Sequence, residues 1–198
     1  MRRLIWVPII HTLADFGSLG SPYEKLYKEK IGQERWKQHG RMVEQLWRTI
    51  RHDVENLHLD YTKVRLYQDG LPDCATAGRI VEELAGRGSA NHQLLVELMK
   101  KGAKLTGTES PELLREEYEV FRKALELARA DQMDKLESLD GERSKQLLGK
   151  RDRCIAQRIA DTLTADETGL IFLGMLHSLK EHLPPDIELR IVGRKRYS

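Results

Sequence analysis

Cysteine is scarce in this 198-residue chain, which has only Cys74 and Cys154. Two cysteines cannot build a disulfide framework, and these two lack metal-ligand spacing, so a reducing cytoplasm is the expected location. Aromatic residues are few as well, at 6% of the chain, which gives little support to a haem pocket with its broad apolar surface. Long apolar runs are missing: none approaches the ~20 residues of a membrane span. The opening RRLIWVPII imitates the start of a secretory signal, but its apolar part is seven residues long and contains Pro8. His11 and Asp15 follow with no small-residue cleavage site, so the stretch reads as a buried strand. Neither sign of charge dominates, and a net charge of +2 is too small to imply a nucleic-acid surface. The basic ending GRKRYS reads as a solvated tail.

What is present suits a globular protein, with 40% hydrophobic and 32% charged residues. The length fits one domain over 1–198 with a sizeable core. Short apolar runs predict strands at 4–10, 63–72, 103–109, 169–176 and 187–193. Helical spacing runs from Ser21 to about Leu57, with Ser21 as N-cap and Pro22 at the first helical position. Two more helices are expected at 75–86 and 89–101, separated by Gly86-Arg-Gly88, with Ser89 as N-cap and Gly102 as the stop. Ser110-Pro111-Glu112 opens a long helical stretch, broken at Asp140-Gly141 before a helix near 143–163. Strands alternating with helices imply an α/β fold, a mainly parallel sheet of about five strands flanked by helices. The helical segment 110–163, inserted between the third and fourth strands, is expected to cap one rim of the sheet.

Ligands of open α/β sheets bind outside the carboxyl ends of the strands. Four of the five expected strands end on a titratable residue: His11, Asp69, Glu109 and His177. Parallel strands place these ends on one rim. Arg151 and Arg153, at the head of the helix before the fourth strand, are expected to start near it. A neutral histidine can take a proton from water near pH 7, and a carboxylate can orient it or act as acid or base. The same residue types suit a divalent cation held by His11, Glu109 and His177. Arginine at the rim can clamp an anion or stabilise an oxyanion. Each residue also has a structural role open to it. Asp69 before Gly70 suits a turn, Glu109 suits the positive end of the next helix, Arg151 and Asp152 read as a solvated charge pair, and His177 as a satisfied histidine. Asn91-His92 opens a helix, His39, His52 and His58 read as surface, and His182 precedes two prolines. Trp6 reads as core, and Trp36 and Trp47 as the stripe of an amphipathic helix. GSLG, residues 17–20, offers backbone amides to an anion but matches no nucleotide motif.

The stretches IIHTLADFG, YQDGLP, LTGTESPELL, KRDRCIAQRIADTL and FLGMLH occur in an order that resembles the erythromycin esterase / ChaN / TraB superfamily. That resemblance implies a hydrolase in which a histidine and a carboxylate activate water, with metal-dependent proteases and a haem-binding member as further variants. By position it assigns His11 and His177 to the histidine motifs, Asp69 and Glu109 to the acidic ones, and Arg151 to the late helix. The expected function is therefore hydrolysis of an ester, amide or phosphoester in a small molecule or peptide, with or without a divalent metal. The alternative is a non-catalytic module binding an anion, nucleotide or haem on the same rim. A homodimer held through the helix bearing Leu113, Leu114, Tyr118, Phe121, Leu125 and Ala128 is a third option, against packing on the protein's own sheet.

Overall fold

The computed structural model describes residues 1–130 and 142–193, so the Asp140-Gly141 break and residues 194–198 of the basic tail lie outside it. Its strands are β1 (Arg2–Ile9), β2 (Val64–Gln68), β3 (Lys104–Leu105), β4 (Thr168–Gly174) and β5 (Ile187–Ile191). The helices are α1 (Gly20–Ile31), α2 (Gln33–Glu55), α3 (Ala77–Gly86), α4 (Ala90–Lys100), α5 (Pro111–Arg129) and α6 (Glu142–Thr162). All strand pairs are parallel and the order is β3-β2-β4-β1-β5.

The apolar runs that predicted strands are continuous because the central strands are covered on both faces. Ile5, Val7, Leu66, Leu170 and Phe172 point into a core shared with Trp47, Ile50 and Val54 of α2, Val81 of α3 and Leu94, Leu95 and Leu98 of α4. Leu4, Tyr67, Ile171 and Leu173 point the other way, onto Ile155, Ile159 and Leu163. A two-residue alternation thus sorts one chain into two cores.

Several boundaries differ from those the sequence predicts. The long helix from Ser21 is two helices, because Gly32 adopts φ 83°, a left-handed conformation that ends α1. A 3-10 segment over Leu13–Leu19 precedes α1, so Ser21 lies within α1 and Leu19 is its N-cap. The GSLG stretch closes this turn: a methyl on Gly20 would lie 2.6 Å from the Leu13 carbonyl oxygen. The third strand shrinks to two residues. Beyond Leu105 the amides of Thr106, Thr108 and Glu109 reach the carbonyls of Leu66 and Leu71, and Thr108 Oγ1 accepts from the Gln68 amide. Side chain and irregular backbone there replace a regular ladder. The capping residues hold: Ser89 accepts from the His92 amide, and Ser110 from those of Glu112 and Leu113.

The apolar face of α5 does not lie on the sheet. Phe121, Leu125 and Ala128 pack on Leu19, Leu26, Phe16 and Tyr23 of the 3-10 segment and α1, with Phe16 and Phe121 stacked at 5.3 Å. Among the described residues no helix is long and apolar enough to cross a membrane.

Candidate functional site

At the carboxyl ends of β1, β2 and β4 the chain gathers its predicted polar residues around one carboxylate, that of Asp69. Its Oδ1 accepts from Arg151 Nη2 at 2.7 Å, and its Oδ2 accepts from the Gly174 amide at 3.0 Å. The same Oδ2 faces His11 Nε2 at 3.4 Å and His177 Nε2 at 3.5 Å. The central position of β4, between β2 and β1, makes this convergence possible. Gly174 matters for the same reason. A methyl there would lie 3.2 Å from Asp69 Oδ2 and 3.8 Å from the His177 ring.

Arg151 is not at the head of its helix, as the sequence suggested, but in the middle of α6, and Arg153 is exposed. Its guanidinium joins three carboxylates: Nε and Nη2 meet Glu109 at 2.6 and 2.9 Å, Nη2 meets Asp69, and Nη1 meets Glu117 of α5. Glu109, 1% exposed, also accepts from the Gly70 amide at 2.7 Å. The arginine is thus spent on holding carboxylates, which removes the anion-clamp role. Burial pulls the guanidinium pKa down, but Glu109, Asp69 and Glu117 together raise it above the ordinary value.

The two histidines are not equivalent. His177 is buried, with Nδ1 on Asp152 Oδ1 at 2.6 Å and Nε2 facing Asp69. Burial lowers its pKa, yet the hydrogen bonds it donates to Asp152 and Asp69 and the charge of Asp69 outweigh that and push it up to about 9. With a carboxylate at each nitrogen, His177 is an imidazolium near neutral pH. His11 has a side chain 40% exposed, and among the described residues its Nδ1 has no hydrogen-bond partner. Burial lowers its pKa and Asp69, Asp15 and Glu117 raise it, for a net rise. Asp69 itself is held well below the usual carboxylate range: the two histidines overcome the cost of burial. Burial, with Asp69 and Glu109 close by, raises Glu117 despite Arg151.

The predicted ligand set of His11, Glu109 and His177 does not form a metal site. Among the described residues no group of three or more His, Cys, Asp or Glu side chains is placed to hold a metal ion. The reason is visible in the partners. Both oxygens of Glu109 face Arg151, and both nitrogens of His177 face carboxylates.

Sequence reasoning missed Asp152, Glu117 and Asp15. The sequence alone suggests half of a solvated pair for Asp152, yet it is 3% exposed and also accepts from the Ser178 amide. Its signal was position: Arg151 and Asp152 sit four and three residues before buried Ile155, on the apolar stripe of α6. Asp15 ties the loop after His11 to α4. It accepts from the Thr12 amide at 2.6 Å, the Thr12 hydroxyl at 3.0 Å and the Ser89 hydroxyl at 2.5 Å. Ser89 in turn lies 2.7 Å from His92 Nδ1. His92 is therefore buried in a support beneath the rim, while His52 and His58 are exposed as expected and His182 is half-buried away from the cluster.

Above the cluster opens a cavity of about 740 Å³, within the range of drug-sized ligand pockets. His11, Asp69, Glu117, Arg151 and His177 line one side, and Phe16, Tyr23, Trp36, Val43 and Trp47 supply apolar walls. A smaller cavity of about 370 Å³ adjoins the same cluster from the α5 side. Compared with known families, curated proteins and solved structures, the chain matches none of their representatives.

Proposed function

We propose that this chain is a metal-independent hydrolase of carboxylic esters or amides, acting on a small molecule or peptide in the cytoplasm. The resemblance to the erythromycin esterase / ChaN / TraB superfamily is part of this reading. The observation that carries it is the asymmetry of two histidines on one carboxylate oxygen. His11 faces Asp69 through Nε2 and lines the cavity, with no partner for its Nδ1 among the described residues, whereas His177 has a carboxylate at each nitrogen.

In this reading Asp69 fixes the tautomer of His11, whose Nδ1 takes a proton from water. The water oxygen bonds to the carbonyl carbon, and the carbonyl π pair moves to oxygen. His177, with a carboxylate at each nitrogen, has no donor left for that oxyanion and instead orients Asp69. Collapse of the intermediate expels the alcohol or amine, which takes the proton back from His11. Arg151, Glu109 and Asp152 are positioning residues.

The test is turnover of a panel of 4-nitrophenyl esters and 4-nitroanilides by the wild type and His11→Ala. The expected loss in kcat is about 10²–10⁴-fold with an unchanged circular-dichroism spectrum. Equal rates in the two proteins, or no turnover of any panel member, would sink the proposal. Ligand binding without turnover would favour the second reading, a binding module, for which the apolar cavity walls speak.

A further inference from the structure

We infer that Gly40 sets the size of the ligand this cavity admits, and that the ligand carries a bulky, uncharged apolar body laid along α2 between Trp36 and Val43. The inference deepens the hydrolase reading by naming its substrate class, and the binding it describes does not depend on catalysis.

One face of α2 borders the cavity. Trp36, Gly40, Val43 and Trp47 are spaced by four, three and four residues, so they form one stripe, and all four line the cavity. Further along, the same helix buries Ile50 and Val54 in the core against the sheet. The N-terminal half of α2 instead lies over the cavity: Trp36 is half-buried, and His39, stacked on it at 5.7 Å, is exposed. Tyr23, 6.4 Å from Trp36, and Phe16, stacked on Tyr23 at 5.0 Å, line the cavity too.

Gly40 interrupts this aromatic wall. Glycine inside a helix is disfavoured relative to alanine, so it needs a reason. Conformation supplies none, since Gly40 is absent from the glycines with positive φ. Packing supplies none either: among the described residues a methyl on Gly40 would have no heavy atom within 4 Å. Gly40 is exposed and lines the cavity, so what its missing side chain leaves is open space at the cavity's outer edge. Glu44, Asp69 and Glu117 also line that cavity, and its two cations, the Arg151 guanidinium and the His177 ring, are each engaged by carboxylates, so an anionic body is disfavoured.

The experiment uses N-phenyl-1-naphthylamine, a neutral two-aromatic probe, titrated into wild type, Gly40→Ala and Gly40→Phe. Binding is followed by probe fluorescence and by the indole N–H signals of the three tryptophans. Trp36 and Trp47 line the cavity, whereas the Trp6 indole donates to the Leu173 carbonyl away from it. In the wild type the Trp36 and Trp47 signals should move and that of Trp6 should stay. The dissociation constant should rise a few-fold in Gly40→Ala and at least tenfold in Gly40→Phe, with Gly40→Ala melting no lower than wild type. Should Gly40→Phe not fold, Gly40→Ala alone decides. Binding within twofold of wild type in the folded variants, or unmoved Trp36 and Trp47 signals, overturns the inference. Ester kinetics separate it from the hydrolase reading. If esters are turned over, the preference for 4-nitrophenyl acetate over 4-nitrophenyl 2-naphthoate should grow at least tenfold in Gly40→Phe. If no ester is turned over while probe binding still tracks residue 40, the hydrolase reading fails and the pocket inference stands.

Discussion

Arg151 shows how much one residue can organise. A planar guanidinium presents donors in several directions, and here they reach Asp69, Glu109 and Glu117 at once. Without it, two carboxylates that are nearly inaccessible to water would lie close together with no cation between them. Arg151→Met is therefore expected to cost about 3–5 kcal/mol of stability, as removal of one partner from a buried ion pair does. Arg151→Lys should rescue little of that, since a single ammonium cannot reproduce the fork. Urea denaturation of both variants measures this; a loss under about 1 kcal/mol for Arg151→Met would contradict the role. The residue was recognised in the sequence, but its task was not. The sequence offered arginine as a clamp for a ligand, and only the three-dimensional pairing reveals that the protein's own carboxylates occupy it.

At the scale of elements, the start of α4 does two jobs. Ser89 caps the helix, accepting from the His92 amide, and its hydroxyl donates to Asp15, which holds Thr12 next to His11. A lost N-cap costs about 1 kcal/mol, and a buried carboxylate deprived of a donor adds to it. Ser89→Ala should then lower stability by about 1–3 kcal/mol, and under the proposed hydrolysis it should reduce kcat more than it raises KM, because the loop carrying His11 loosens. Ser89→Thr, which keeps the hydroxyl, should restore both. If Ser89→Ala changes stability alone, the support does not extend to His11. The cap was legible from Gly88-Ser89 and the apolar run behind it. Its link to Asp15 was not, since 74 residues separate the partners.

For the whole molecule, the charge cluster makes stability depend on pH. The His177 pKa rises from 6.5 to about 9 on folding. Its contribution is complete below 6.5 and is lost as pH climbs through about 9. The span corresponds to roughly 3 kcal/mol. His11, also raised, acts in the same direction. Asp69 is depressed, so its contribution is present above 3.8 and fades as pH falls through its lower folded value. These are two views of shared interactions and do not add. Stability should therefore be greatest between about pH 4 and 6.5 and decline from 6.5 to 9. His177→Gln should flatten that decline in urea melts taken across the range. An equally steep fall in the variant would place the titrating group elsewhere.

The sequence by itself determined the alternation of strands and helices, the parallel sheet and the strand ends that carry polar residues. Those features rest on local physics: apolar period, capping chemistry and the burial of both sheet faces, each written within a few neighbouring residues. It also showed His11, Asp69, Glu109 and His177 at those ends. Tertiary structure alone decided that β4 sits between β2 and β1, and hence that both histidines reach one oxygen of Asp69. It likewise decided that Arg151 and Asp152 turn inward and that Glu117 reaches Arg151. A charge on an apolar helical stripe is read as solvated until its partners are seen, because pairing across long sequence separations leaves no periodic trace in the chain.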